Sequence, residues 1–196
     1  MDSDSWFLAS FESDCMEKTV TIPEGVDVKF QGKEITVSGP RGELRRNIMG
    51  SPIRIEIAQG TAKVSSENDR RKIKSHAGTW ASHMRNMITG VTHGWEARLK
   101  IVYSHFPMKF TVEGDTVTIS NFLGERKDRK AKVKGDVKVE LKKDIVIVTG
   151  NDKEEVGQAA ARIELLATVK RFDRRVFQDG VHLIQKTTPI PEKEGE

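Results

Sequence analysis

Two dense runs of basic side chains are the residues in this sequence best suited to do chemistry. Arg126, Lys127, Arg129, Lys130, Lys132 and Lys134 stand close together with Asp128 between them. Lys170, Arg171, Arg174 and Arg175 form the second run, with Asp173 among them and Phe172 beside them. Clustered cations neutralise phosphates and release condensed counterions, so this pattern points to salt-dependent binding of a polyanion. Arginine adds a planar fork that grips phosphate at two points and stacks on bases, which suits folded RNA. Any single run of this kind is usually a solvated face. Two in one small region, with few compensating acids, argue for phosphate contact. Arg45 and Arg46 are the weaker counterpart earlier in the chain.

Covalent and metal chemistry are not indicated. His76 and His83 can share a helical face, but no third ligand and no H-E-x-x-H pair accompany them. The remaining histidines, His93, His105 and His182, are scattered. Gly39-Pro40-Arg41-Gly42 lacks the lysine and following helix of a phosphate-binding loop and reads as a tight turn. Nothing resembles a nucleophile elbow. The single cysteine, Cys15, excludes an internal disulfide and a cysteine-based zinc site, and fits a reducing compartment. No catalytic residue, metal, cofactor or small-molecule substrate is expected.

These side chains need a scaffold, and composition bounds it. The chain has 196 residues, 36% hydrophobic and 32% charged, with net charge +4. Its apolar runs are far shorter than the ~18 residues of a helical membrane span, so no membrane partner is expected. The first sixteen residues carry Asp2, Asp4, Glu12 and Asp14 without a base, unlike a secretory signal, so a cytosolic protein is expected. Thirteen bases face nine acids over 17–96, nineteen face thirteen over 97–186, and the last ten residues are acidic again. The body is therefore more basic than the net charge suggests, and nucleic acid is the leading partner.

An internal repeat organises that body. Gly32, Ile35, Thr36, Val37, Ser38, Gly42 and Glu43 recur as Gly114, Val117, Thr118, Ile119, Ser120, Gly124 and Glu125. With a slightly larger offset, Ile53, Ile55 and Ile57 meet Val137, Val139 and Leu141, Val64 meets Val148, and Ala77 meets Ala161. Each copy shows alternating strand patterns around a glycine turn, then further strands, then a helix. Ile73, Ala77, Trp80, Met84, Met87 and Val91 form the apolar stripe of the first helix, with Gly90 as its end signal. Val156, Ala159, Ala160, Ile163 and Ala167 form that of the second, after the caps Asn151 and Asp152.

The fold class expected is α+β: two homologous domains from an internal duplication, each a small, mainly antiparallel sheet packed on one helix. The divisions are 1–16, an acidic N-terminal extension; 17–95, the N-terminal repeat domain; 96–186, the C-terminal repeat domain and main RNA binder; and 187–196, an acidic tail. One sheet face in each copy is left bare, either solvated or available for binding. Trp80 is a core residue on the helix stripe, whereas Phe122 sits at a turn and reads equally as core or as partner anchor. No aromatic pair sits on a strand, so no single-strand stacking platform is read here.

Four motifs in order carry a resemblance: Gly39-Pro40-Arg41-Gly42-Glu43-Leu44, Gly90-Val91-Thr92-His93-Gly94-Trp95, Tyr103-Ser104-His105-Phe106-Pro107 and Asn121-Phe122-Leu123-Gly124-Glu125. Over about 16–186 the chain resembles the L-six family of large-subunit ribosomal proteins, in its archaeal and eukaryotic branch. The resemblance implies a structural constituent of the large ribosomal subunit in the cytoplasm. It implies binding to large-subunit ribosomal RNA near the sarcin–ricin loop, beside neighbouring ribosomal proteins and close to where translational GTPases dock. It also implies that the second domain and C-terminal segment are the RNA contacts, here Lys170, Arg171, Arg174, Arg175, Asp179, Gly180 and Lys186. The family starts near Lys18 to Pro23, so residues 1–15 are extra: an acidic extension, or residues upstream of an initiator at Met16. The acidic tail is given no RNA role. The alternative from a different class is a non-ribosomal regulatory RNA-binding or protein-interaction module.

Overall fold

Alternation of Ile35 and Val37 with polar neighbours makes a strand whose apolar side is fully buried, and Val117 and Ile119 repeat it in the second copy. The structure, a computed structural model, describes residues 17–191 except 49–52, 59, 67–69, 105, 171 and 174. The acidic extension, the end of the acidic tail and the sequence-predicted residues His105, Arg171 and Arg174 lie outside the described residues.

In the first copy, β1 (Lys18–Thr21), β2 (Asp27–Gln31), β3 (Glu34–Gly39), β4 (Gly42–Asn47), β5 (Ile53–Ala58) and β6 (Thr61–Ser66) precede helix α1 (Arg71–Thr92). In the second, β7 (Trp95–Val102), β8 (Lys109–Glu113) and β9 (Thr116–Ser120) lead to a 3-10 turn at Phe122–Gly124. Then come β10 (Arg129–Lys132), β11 (Val137–Lys142), β12 (Ile145–Gly150), helix α2 (Lys153–Leu166) and a final strand β13 (Gly180–Pro189). The sheets run β1-β6-β5 and β2-β3-β4, then β10-β9-β8 and β11-β12-β7-β13. The duplication thus reaches topology, because β7-β12-β11 repeats β1-β6-β5. The α+β plan holds, but each copy divides its strands between two sheets. The reason is pairing: β5 and β11 leave the preceding meander and pair with the strands that follow them.

The described residues form two compact units. One comprises the chain up to Val37 together with Arg45–Arg85, the other Ser38–Leu44 together with the chain from Asn86. In the first unit, Val20, Ile55, Ala62, Val64, Ala77, Trp80 and Met84 are buried. In the second, α2 packs on β7, β12 and β13. Trp95, Ala97, Leu99, Val146, Val148, Val156, Ile163 and Phe122 share one core. Phe122 is therefore a core residue.

Two local readings change. Ala161 is exposed, so its match to Ala77 fails; one residue earlier, Ala160, Ile163 and Ala167 are buried like Ala77, Trp80 and Met84. Gly90 does not end α1, which continues to Thr92. Gly94 ends it at φ +78°, where His93 and Gly94 N–H both donate to Thr89 O at 2.9 and 3.2 Å. Gly90 is glycine for another reason: a Cβ there would lie 2.1 Å from Asn151 O. The cap reading at α2 holds, since Asp152 accepts from Glu154 N at 2.8 Å.

Candidate nucleic-acid interface

Strand β10 pairs with β9 alone and forms a sheet edge. Period-2 geometry sends Lys130 and Lys132 to one side, both exposed, and Arg129 and Ala131 to the other, half-buried. Val133 is buried and Lys134 exposed, so the alternation continues past the strand. Arg126 and Lys127 are exposed in the loop before it. Lysines along an edge strand also discourage edge-to-edge pairing.

Arg129 behaves differently from its neighbours. Its Nε donates to Glu125 Oε2 at 2.8 Å and its Nη2 to Glu125 Oε1 at 2.7 Å. Its Nη1 donates to Leu166 O at 2.8 Å, on the last residue of α2, and to Thr168 O at 2.9 Å, just beyond it. The guanidinium also lies 4.2 Å from the centre of the Phe122 ring. Four of its five N–H groups are thus engaged internally, and its side chain is only 16% exposed. Arg129 is a clamp rather than a free phosphate ligand. A helix leaves its last carbonyls without intrahelical partners, and a cation there also suits the helix dipole. The Arg129 bond and charge, together with the charge of Lys170, hold the Glu125 carboxyl below the usual carboxylate range against a smaller opposing effect of burial.

The clamp sets the second basic segment beside the first. After α2, Asp173 folds the chain back: its side chain accepts from Arg175 N at 2.9 Å, and its carbonyl from Val176 and Phe177 N at 3.1 and 2.9 Å. Asp179 is buried and accepts from Ser104 N and Oγ at 3.0 and 2.9 Å. Both acids of this segment therefore accept backbone N–H groups, while Lys170 and Arg175 stand exposed. Asp179 is a structural anchor. Gly180 is buried too, and a Cβ there would lie 3.3 Å from Ala167 O, a tight approach. Lys186 is exposed on β13, six residues beyond Gly180 and on the order of 20 Å along the strand.

Phe172 and Phe177 form an aromatic pair absent from the strand-based reading, with ring centres 4.8 Å apart and planes at 48°. The only sequence signal is two phenylalanines flanking the Asp173 turn. Phe177 also lines a cavity of about 560 Å³, together with residues including Val102, Leu165, Val169, Val181 and His182.

Elsewhere the surface is less suggestive. On the open face of β11-β12-β7-β13, Arg98 pairs with Glu96 and Lys142 lies 3.9 Å from Glu140, the mixed pattern of a solvated face. In the first unit, Arg46 Nη1 lies 2.6 Å from His83 Nδ1 and Trp80 contacts the same imidazole edge-on. A guanidinium can only donate, so Nδ1 is the acceptor and is not available to a metal. Among the described residues, no three His, Cys, Asp or Glu side chains gather as metal ligands. None of their helices is long and apolar enough to cross a membrane.

A family model described as Ribosomal protein L6 matches residues 22–94 and again residues 106–180, one match per copy. The large ribosomal subunit protein uL6 of Methanosarcina mazei is 46% identical over 169 residues, 86% of this chain and 96% of that relative. The uL6 proteins of Methanothrix thermoacetophila and Methanobrevibacter smithii are each 45% identical, over 86% and 87% of this chain and 96% of each relative.

Proposed function

The chain belongs to the ribosomal protein L6 family, and we propose that it serves there as an RNA anchor of the large ribosomal subunit through its second compact unit. The coarser role follows from the family: a structural, non-enzymatic protein of the large subunit, working in the cytoplasmic ribosome. The finer assignment is that Arg126, Lys127, Lys130, Lys132, Lys134, Lys170, Arg171, Arg174 and Arg175 contact phosphates of large-subunit ribosomal RNA. Arg129 positions them. Neighbouring ribosomal proteins flank this anchor, and it supports the factor-binding region near the sarcin–ricin loop, where translational GTPases dock.

One observation carries the RNA assignment. Arg129 ties the first basic segment to Leu166 and Thr168 at the head of the second, while Glu125, Asp173 and Asp179 make internal bonds. Among the described residues, Lys130, Lys132, Lys134, Lys170 and Arg175 are exposed on this scaffold, and a scaffold held before binding lowers the ordering loss on association. Phosphate neutralisation there supplies affinity by counterion release, and the fixed spacing selects folded RNA by shape.

Cosedimentation tests this reading. The full-length chain should remain with large subunits through moderate salt, and charge reversal at Lys130, Lys132 and Lys134 should reduce its incorporation. A chain that washes off at moderate salt, or reversed variants that incorporate normally, would contradict it and favour a free regulatory module.

A further inference from the structure

We propose that the cavity between the end of α2 and the start of β13 receives one unstacked nucleobase of the bound RNA. The inference rests on the RNA-binding reading above and adds a base contact to the phosphate contacts.

Three observations lead to it. The first is exposed apolar surface in this part of the chain: Leu165, which lines the cavity, is 71% exposed, and Phe172 and Val176, in the loop that carries the lining residue Phe177, are 47% and 60% exposed. Exposed apolar groups gathered in one place mark a binding surface more often than scattered single ones do. The second is the Phe172–Phe177 pair, in which Phe177 lines the cavity and the more exposed Phe172 ring packs against it, centres 4.8 Å apart. Aromatic rings offered at a loop are the usual platform on which a base leaves its own stack. The third is charge. Lys170 and Arg175 stand exposed within the same loop, so a ligand entering here carries negative charge outside the cavity and an apolar ring inside.

The polar lining matches that ligand better than an aliphatic side chain from a protein. Glu164 and Gln178 line the cavity together with Thr168. Glu164 Oε1 already accepts from Leu183 N at 3.3 Å, which fixes the carboxylate in place. A fixed carboxylate beside an aromatic wall accepts from the amino or ring N–H of a base. A hydrophobic protein segment would leave these groups unmatched.

Measuring the affinity of the full-length chain for isolated large-subunit RNA across a salt series tests the proposal. Phe172→Ala should weaken binding on the order of tenfold, with the salt slope unchanged because no phosphate contact is removed. Phe172→Trp should bind like the unsubstituted chain. If Phe172 only braced the loop, its loss would displace Lys170 and Arg175 and flatten the slope as well. In assembled subunits, a benzophenone amino acid at Leu165 should crosslink to RNA. Phe172→Ala binding within twofold of the unsubstituted chain, or crosslinks to protein alone, would overturn the base site and leave the phosphate reading standing. Absence of salt-dependent binding by the unsubstituted chain would overturn both.

Discussion

Arg129 and Glu125 meet fork to fork, with both carboxylate oxygens accepting from the guanidinium at 2.7 and 2.8 Å. They are four residues apart but not on a helix, since Arg129 opens β10 and Glu125 follows the 3-10 turn. That turn holds Asn121 and Leu123 at φ 59° and 49°, the left-handed region that favours glycine. Its Phe122 ring supports the guanidinium from beneath. The same guanidinium reaches Leu166 O and Thr168 O, so one side chain joins a turn, an edge strand and a helix end.

Removing the clamp should therefore destabilise the second unit as well as weaken RNA binding. Arg129→Ala strands two carbonyls and one carboxylate, and a loss of about 2–4 kcal/mol is expected in urea unfolding. Arg129→Lys should recover little, because an ammonium cannot fork onto Glu125 and reach both carbonyls together. A change below about 0.5 kcal/mol in Arg129→Ala, the range of an ordinary surface site, would remove Arg129 from this role.

The Glu125 carboxyl titrates below its ordinary value chiefly because of the Arg129 bond. A depressed folded-state pKa means that the pair's stabilisation is complete above the unfolded value, about 4.3, and fades as pH falls through the lower folded value. The stability difference between the unsubstituted chain and Glu125→Gln should be flat above about pH 5 and shrink below about pH 4. Its size should be modest, because Glu125 is 43% exposed. A difference that grows on acidification would have the wrong sign. Unfolding curves at stepped pH read this directly.

Two glycines of α1 should respond in opposite ways to alanine. At Gly78 a Cβ would meet only Lys18 Nζ, at 3.4 Å, and Cε at 3.8 Å, both on a flexible side chain. Gly78→Ala should gain up to about 1 kcal/mol of helix propensity. At Gly90 the Cβ would sit 2.1 Å from Asn151 O and 3.1 Å from Trp95 Nε1. Gly90→Ala should lose about 2 kcal/mol or more despite the same propensity gain. Equal thermal midpoints for the two variants would contradict the close approach.

Much of the scaffold was legible because its signals are local. The repeat, both apolar helix stripes and the Asp152 cap needed only spacing and residue type. What escaped depends on contacts between distant residues. Arg129 looked like part of a charged run because its acceptors, Leu166 O and Thr168 O, are backbone atoms that leave no trace in composition. The one available hint was its phase with Ala131 and Val133. The resemblance implies an RNA role for Gly180, and the tight approach of Ala167 O, 3.3 Å from where its Cβ would lie, leaves no trace in the sequence. Gly90 and Gly94 are four residues apart, and only the observed φ of Gly94 and the crowding at Gly90 show which one ends the helix. The sequence reading places no strand at β1 or β7, although Trp95, Ala97, Leu99 and Ile101 alternate along β7. β13 was hidden by register shifts between Leu183 and Gln185 and between Gln185 and Thr188 that break its period.

Charge reversal should distinguish the two units. Lys170→Glu with Arg175→Glu is expected to impair subunit incorporation more than Arg45→Glu with Arg46→Glu, because Arg46 is engaged with His83. Neutralising Lys130, Lys132 and Lys134 singly should each lower the salt slope of RNA binding by about one. Equal incorporation of the two reversed pairs would remove the second unit as the main anchor.

The most direct test of RNA anchoring is crosslinking in intact cells, with the bound RNA sequenced and the crosslinked peptides mapped. The account predicts large-subunit ribosomal RNA joined to peptides covering 126–134 and 168–178. Crosslinks scattered over messenger RNAs, or confined to peptides of the first unit, would contradict it.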